Sequence, residues 1–517
     1  MTEAVAPGGV VVGGASDGAK APPAAIGPRP PITLGVKALY GFGSIAFGIK
    51  DNGFRVFLLL FYNQVVGLPA VTVGIAIGIA TFLDCLIDPF VGRMSDNFRS
   101  KWGRRHPFMY ASAIPVALSF LLLWNPPTGW SDTALIIYLA VVVVVVRTFI
   151  VLYEIPSSAM AAELTRDYAE RSSILGWRYF FAWWGGLTLT VIMFWFFLRP
   201  TAEYPDGQLN RDGYALYGYV AAVLMFVSIL VSAIGTHRFI PWLPQPGPKV
   251  VRPASAALKE VLQTLAIRPF LTIAAVGLLA AVAQGVSFSL AFYFSTYFWE
   301  LNSFWTGVLV LDSYISSAVA LAAAPMLTKR SGKKAAGGLL LLASVLIGFL
   351  PLLLRVMGWF PGNEDMIGKG PVPQIVPWLF IDGVVRGILG ITAAILITSM
   401  LADVVEYSEA RTGRRSEGLF FAFTSLIQKA VGGIGVIVAS TLLAVVQFPD
   451  NAKPGQVPEE TLTNLALIYM PTLIILYGLA VAVMQAYNIT RQSHEETLRG
   501  LAAKAQAAED ASLSQVP

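Results

Sequence analysis

Twelve mainly apolar stretches, each about as long as the hydrocarbon core of a bilayer is thick, constrain this chain more than any other feature. They run at about 38–62, 71–95, 107–125, 133–158, 174–198, 215–236, 269–297, 305–328, 335–357, 375–401, 417–445 and 465–488. In lipid, only helices and closed barrels satisfy every backbone polar group, and runs of ~20 residues at ~1.5 Å each are helix-sized. The expected fold is therefore an all-α membrane protein with twelve transmembrane helices. Composition excludes the soluble alternatives. Hydrophobic residues make up 56% and charged residues 13%, against about 25% charged in soluble domains. An ordinary cytosolic enzyme, a disordered chain and a nucleic-acid-binding domain are all ruled out. The one cysteine, Cys85, lies in an apolar run with no partner for a disulfide. His106, His237 and His494 fall in polar loops or tails, so no histidine-ligated metal centre is expected within the membrane. No enzyme, no cofactor beyond a coupling ion, and no obligate protein partner are expected; the surroundings are membrane lipid.

Residues 1–33 are rich in Gly, Pro and Ala and lack the apolar segment of a signal peptide. They read as a disordered cytoplasmic tail. A Pro-rich, basic linker at 237–268 divides a first half, 34–236, from a second, 269–488, with a second cytoplasmic tail at 489–517. With both termini on one side, that side collects 24 of the 36 Lys and Arg residues and the other side 4. Positive loops stay cytoplasmic, which places both termini in the cytoplasm. The halves echo each other: GRMSDNFRSKWGRR follows span two and PMLTKRSGKK follows span eight, each ending in a Gly–basic–basic step. Such duplication is the plan of a two-half transporter of the major facilitator type.

Ionisable residues within the spans carry the functional signal. Each costs roughly 2.5–3.5 kcal/mol at a helix centre, and so faces a cavity or a partner. The first half contains Lys50, Asp51, Arg55, Asp84, Asp88, Arg147, Glu154 and Arg178; the second contains Asp312, Asp382, Arg386 and Lys429. Asp84 and Asp88 stand at i and i+4, one above the other on one helix face. Two carboxylates that close repel, and either share a proton or hold a cation. Glu154, beside Pro156, completes such a site if spans two and four adjoin. Lys50 and Asp51, being adjacent, point about 100° apart on a helix and are expected to take different partners. Asp51 with Arg55, and Asp382 with Arg386, are i, i+4 pairs able to neutralise each other. Lys429 sits beside Gly432, Gly433 and Gly435, which permit close helix approach, and calls for an acidic neighbour. Asn52, Asn63, Gln64, Gln284 and Gln428 supply neutral hydrogen-bonding groups, a chemistry that serves polyol recognition and helix–helix adhesion alike.

Longer motifs add a resemblance. YGFGSIAFGIKDN opens span one and YNQVVGLPA closes it; LDCLIDPFVGRMSDNFRSKWGRRHPF covers span two and its loop. YEIPSSAMAAELTRDYAERSS leaves span four, and ADVVEYSEARTGRRSEGLFFAF precedes Lys429. From about residue 34 to 488 the chain resembles the glycoside–pentoside–hexuronide:cation symporters of the major facilitator superfamily. The resemblance implies a cation site at Asp84, Asp88 and Glu154, with Asp84 and Asp88 as ligands if the ion is Na⁺. It implies a substrate site drawing on Lys50, Asp51, Glu154, Arg178 and Lys429, although the Lys50–Asp51 pair stands about one turn later than the family's. Three departures stand out: the acid of span four is Glu154 rather than Asp, Val151 replaces a hydroxyl ligand, and Ser158 stands where melibiose-carrying members have a sugar-stacking aromatic. Losing a hydroxyl weakens a sodium site more than a proton site, which favours H⁺.

The expected function is secondary active uptake of a glycoside or oligosaccharide with H⁺ or Na⁺, by alternating access, in a bacterial inner membrane. The alternative is a lipid-like or drug-like substrate, suited to apolar surroundings at Ser158. Asp96 with Arg99, Lys101, Arg104 and Arg105, and Asp403 and Glu406 with Arg411, Arg414 and Arg415, are expected to form two halves of a cytoplasmic latch.

Overall fold

The computed structural model describes residues 30–165, 167–205, 207–243, 266–331, 333–368, 370–412, 417–489, 492–497, 499–500 and 503. Twelve helices follow one another among them. α1 spans residues 34–65 in five successive pieces, two of them π turns at Gly53–Phe57 and Phe61–Val65. Then come α2 (Ala70–Asn97), α3 (His106–Trp124), α4 (Asp132–Glu163), α5 (Tyr168–Ile192, continued by a π turn, Met193–Phe197) and α6 (Arg211–His237). The second six are α7 (Arg268–Tyr293, continued by Phe294–Phe298), α8 (Ser303–Val310 and Asp312–Ser331), α9 (Lys333–Gly348 and Leu350–Val356), α10 (Ile375–Thr412), α11 (Glu417–Val445) and α12 (Glu459–Met484). No strand occurs among the described residues.

Several starts are set by capping side chains. Asp167 Oδ1 accepts from the Glu170 amide at 2.6 Å to open α5. Asn210 and Asn302 do the same for α6 and α8, at 3.2 and 3.1 Å. Two ends depart from the hydropathy reading. α4 continues to Glu163 and α10 to Thr412, beyond the expected 158 and 401. Hydropathy marks where lipid ends, whereas Ala- and Glu-containing segments such as AMAAE and ADVVEYSEA sustain a helix into water. α12 begins early, at Glu459, where two glutamates in the first turn favour the helix dipole.

The two halves repeat one packing scheme. In each, the first helix packs on the fifth and sixth, the second on the fourth, and the third on the fourth and sixth. Between halves, α2 lies along α11, α5 meets α8, and α1 meets α7. Glycines permit the α2–α11 approach: a Cβ on Gly433 would sit 2.8 Å from the Gly78 carbonyl oxygen and 2.9 Å from the Thr81 Cβ, and one on Gly74 would collide with Ser440. Gly435 plays the same part against α7, at Gly285. The expected role of these glycines is borne out for Gly433 and Gly435; the side-chain environment at Gly432 lies outside the described residues.

The halves are tied together at the end away from the termini. Asn63 donates to Asp450 at 2.6 Å and accepts from Tyr293 at 2.7 Å. Gln64 accepts from the Ala452 amide at 2.8 Å and from Tyr297 at 3.2 Å. Gln208, between α5 and α6, donates to the Leu301 carbonyl and to Thr306, and accepts from Thr296. Asn63 and Gln64 therefore act as helix adhesive.

Candidate functional site

α2 and α4 run in the same direction and adjoin, which brings their charged residues to one seam. Arg147 of α4 places Nη2 2.7 Å and Nε 2.9 Å from Asp84 Oδ2, and its guanidinium lies over the Phe54 ring of α1 at 5.3 Å. Both side chains are buried, and Asp84 Oδ1 is enclosed with no hydrogen-bond partner among the described residues. Asp88 is one turn on, ~6 Å along α2, and Glu154 two turns beyond Arg147, ~10 Å along α4. One oxygen of each, Asp88 Oδ1 and Glu154 Oε2, is sealed from solvent. Three helices thus converge at the Arg147–Asp84 pair, with Asp88 and Glu154 further along α2 and α4. Arg147 was counted among the span charges, but its partnership with Asp84 was missed. The signal is its heptad spacing from Glu154, which puts both on one face of α4.

Lys50 and Asp51 correct an expectation: they pair with each other, Nζ to Oδ1 at 2.7 Å. The flexible lysine stem spans the angle between neighbouring positions, and the π turn that follows removes the regular i, i+4 alignment with Arg55. Arg55 instead lies over the Phe288 ring of α7 at 5.8 Å. Arg178 of α5 is buried between α1 and α4, donating to Ser158 at 2.7 Å and lying over the rings of Tyr40 and Phe47 at 5.0 and 5.5 Å. The expected apolar surroundings of Ser158 are therefore corrected: its hydroxyl accepts from a guanidinium. Lys429 lies in α11, with its side chain outside the described residues.

At the end bearing the termini, Glu163 on α4 receives Arg104 and Arg105, each at 2.8 Å, and Arg105 also meets Asp96 at 2.6 Å. In the second half, Asp403 on α10 receives Lys333 at 2.5 Å, while Glu406 meets His494 at 2.5 Å. The two Gly–basic–basic steps thus do one job twice, setting a basic residue on an acid of the fourth helix of its own half. These pairs hold within halves, whereas the expected latch was drawn from acids and bases of the loops alone and missed Glu163, Lys333 and His494. Arg99 is exposed, Arg411 lies over Tyr407 at 5.2 Å, and Arg414 and Arg415 lie outside the described residues. His106 is also a correction: it is the first residue of α3, fully buried, 3.1 Å from Thr236 and 5.7 Å from the His237 ring. Burial of a helix start against α6, invisible to hydropathy, takes it out of the loop.

The chain is similar to the isoprimeverose transporter of Lactiplantibacillus pentosus, 23% identical, with 87% of this chain and 88% of that protein covered. It is equally similar to the glucuronide carrier protein homolog of Escherichia coli strain K12, at 23% identity over 88% of this chain and 93% of that one. A solved D-xylose-proton symporter shares the fold with a TM-score of 0.60 at 12% identity, covering 89% of this chain and 98% of its own. The family model described as MFS/sugar transport protein matches residues 39–491. On that match the chain belongs to the MFS sugar transport family, and is a multi-pass membrane transporter of small molecules rather than an enzyme.

Proposed function

We propose that this protein takes up a glycoside or oligosaccharide by symport with H⁺, that the end bearing the termini faces the cytoplasm, and that Asp84, Asp88 and Glu154 handle the coupling proton. The observation that carries this reading is the buried Arg147–Asp84 pair. It fixes a charged seam in hydrocarbon depth, where every such group is costly. It also bears on the ion. An alkali cation wants several hard oxygen ligands, and at Asp84 it meets a guanidinium instead. A proton needs one oxygen, and Asp88 and Glu154 bring carboxylates to the same seam. Val151, buried on α4, offers no oxygen in place of the missing hydroxyl. The relative named for isoprimeverose supports a glycoside as cargo.

Alternating access follows from the duplicated halves. Here the end away from the termini is fastened through Asn63, Gln64 and Gln208, the arrangement of a carrier closed to the outside. Substrate-dependent alkalinisation of the medium around right-side-out vesicles tests the reading. Concentrative uptake that survives in an Asp84→Asn/Asp88→Asn double variant overturns the coupling assignment, and uptake driven by Na⁺ with no pH change reassigns the ion.

A further inference from the structure

A cavity of about 300 Å³ lies between the halves, lined mostly by the second and by no residue of α2 or α4. Three helices lose regular geometry where they border it. α1 passes through the π turn Gly53–Phe57 directly after the lining residue Asn52. α8 breaks at Leu311, directly before the lining residue Asp312, and α9 breaks at Phe349, directly after Gly348. Interrupted backbone in a membrane is tolerated where it lines a cavity, and broken helices mark substrate sites.

The polar groups of the cavity converge. Asp312 on α8 and Asp382 on α10 both line it, with Arg386 one turn after Asp382 and its Nε 3.8 Å from Asp382 Oδ2, beyond hydrogen-bond reach. Asp312 accepts from the Ser313 hydroxyl at 2.8 Å and rests against Gly383, where a Cβ would collide with its carboxylate. Asn52 and Thr190 face the same space from the first half. Phe288 and Phe292 form apolar wall. A few convergent polar groups in an aromatic cavity is the make-up of a small-molecule site.

We infer that this cavity is a glycosyl subsite of the second half that selects an uncharged sugar residue. In it, Asp312 and Asp382 accept hydrogen bonds from sugar hydroxyls and Arg386 donates to a sugar oxygen. Charge sets the class. Among the described lining residues the one guanidinium already faces two carboxylates, so a uronate would find no unpaired cation there, whereas a neutral pyranoside gains charge-assisted bonds. The inference rests on the glycoside-symport reading for its substrate class, and it chooses between the two cargoes for which the relatives are named.

Isothermal titration of the purified protein with p-nitrophenyl β-glucoside, β-galactoside, β-xyloside and β-glucuronide tests it. At least one neutral glycoside is expected to bind about tenfold or more tightly than the glucuronide. Asp312→Asn and Asp382→Asn are each expected to weaken that neutral ligand about tenfold, and Asp382→Asn to narrow the gap to the glucuronide. Gly383→Ala, which keeps all three side chains and crowds the Asp312 carboxylate, is expected to weaken it as well, and serves if an Asn variant fails to fold. A neutral glycoside bound equally well by the folded variants overturns the subsite and leaves glycoside symport standing. Tighter binding of the glucuronide overturns the charge selection. Binding of none of the four by folded protein overturns the glycoside reading, and the subsite with it.

Discussion

Arg147 Nη2 lies 2.7 Å from Asp84 Oδ2, and the two side chains, from adjoining helices, are both shut off from solvent. Such a pair gains little over an apolar pair of the same size, but removing one partner strands a charge where lipid or protein cannot solvate it. Arg147→Gln is therefore expected to lower stability by about 3–5 kcal/mol. Asp84→Asn/Arg147→Gln is expected to recover most of that loss in detergent unfolding. A double variant as unstable as the single one would show that the two residues are not coupled.

Asp88 is placed to separate coupling from transport. Asp88→Asn keeps the size and hydrogen-bonding capacity of the side chain but cannot bind and release a proton. Counterflow down a substrate gradient is expected to persist, while accumulation driven by a pH gradient falls to the level without one. Accumulation at the wild-type ratio would put the coupling proton elsewhere.

Gln208 joins the halves at the end away from the termini through Leu301, Thr306 and Thr296. With each bond worth about 1 kcal/mol, Gln208→Ala shifts the equilibrium toward the opposite state by roughly 2–3 kcal/mol. Spin labels placed across that end on α5 and α8 are expected to move apart in a larger share of molecules than in the parent. An unchanged distance distribution would leave Gln208 without a gating part.

Gly433 tests the closure from another side. Leucine there has no room against Gly78 and Thr81, so Gly433→Leu is expected to keep α2 and α11 apart. The cysteine-reactivity pattern of that end should then match the Gln208→Ala state, with transport slowed. Normal transport in a folded Gly433→Leu variant would contradict the tight α2–α11 seam.

Glu163 on α4 and Asp403 on α10 are each paired with a basic residue from the Gly–basic–basic step of its own half. Since neither pair crosses to the other half, the stability losses of Glu163→Gln and Asp403→Asn are expected to add within about 0.5 kcal/mol. A coupling well beyond that would mean that the halves communicate through this end in the state described. Glu163→Gln is expected to cost more than Asp96→Asn, because Glu163 serves two arginines and Asp96 is more than half exposed.

Much of this protein was legible before any coordinates. Helix number, the two halves, and the placing of acids on α2 and α4 follow from length, hydropathy and spacing, because lipid enforces one local solution on every span. Partner choice was less legible. The Lys50–Asp51 pair defeats a rule built on rigid helical directions, since a lysine stem is long and the helix turns into a π bulge three residues on. Glu163 was overlooked and His106 was assigned to a loop because each owes its role to a helix end that hydropathy does not see.

The amino-acid order by itself determined that the chain crosses a membrane as duplicated helices and carries charges too costly to be idle, for these depend only on local transfer energies. Tertiary packing alone decided that Asp84 goes to Arg147, that Asn63 and Gln64 bind the halves together, and that Asp312 of α8 meets the Asp382–Arg386 pair of α10 around a cavity. Those outcomes depend on distances of a few ångströms between helices far apart in sequence, and no period along one helix encodes them.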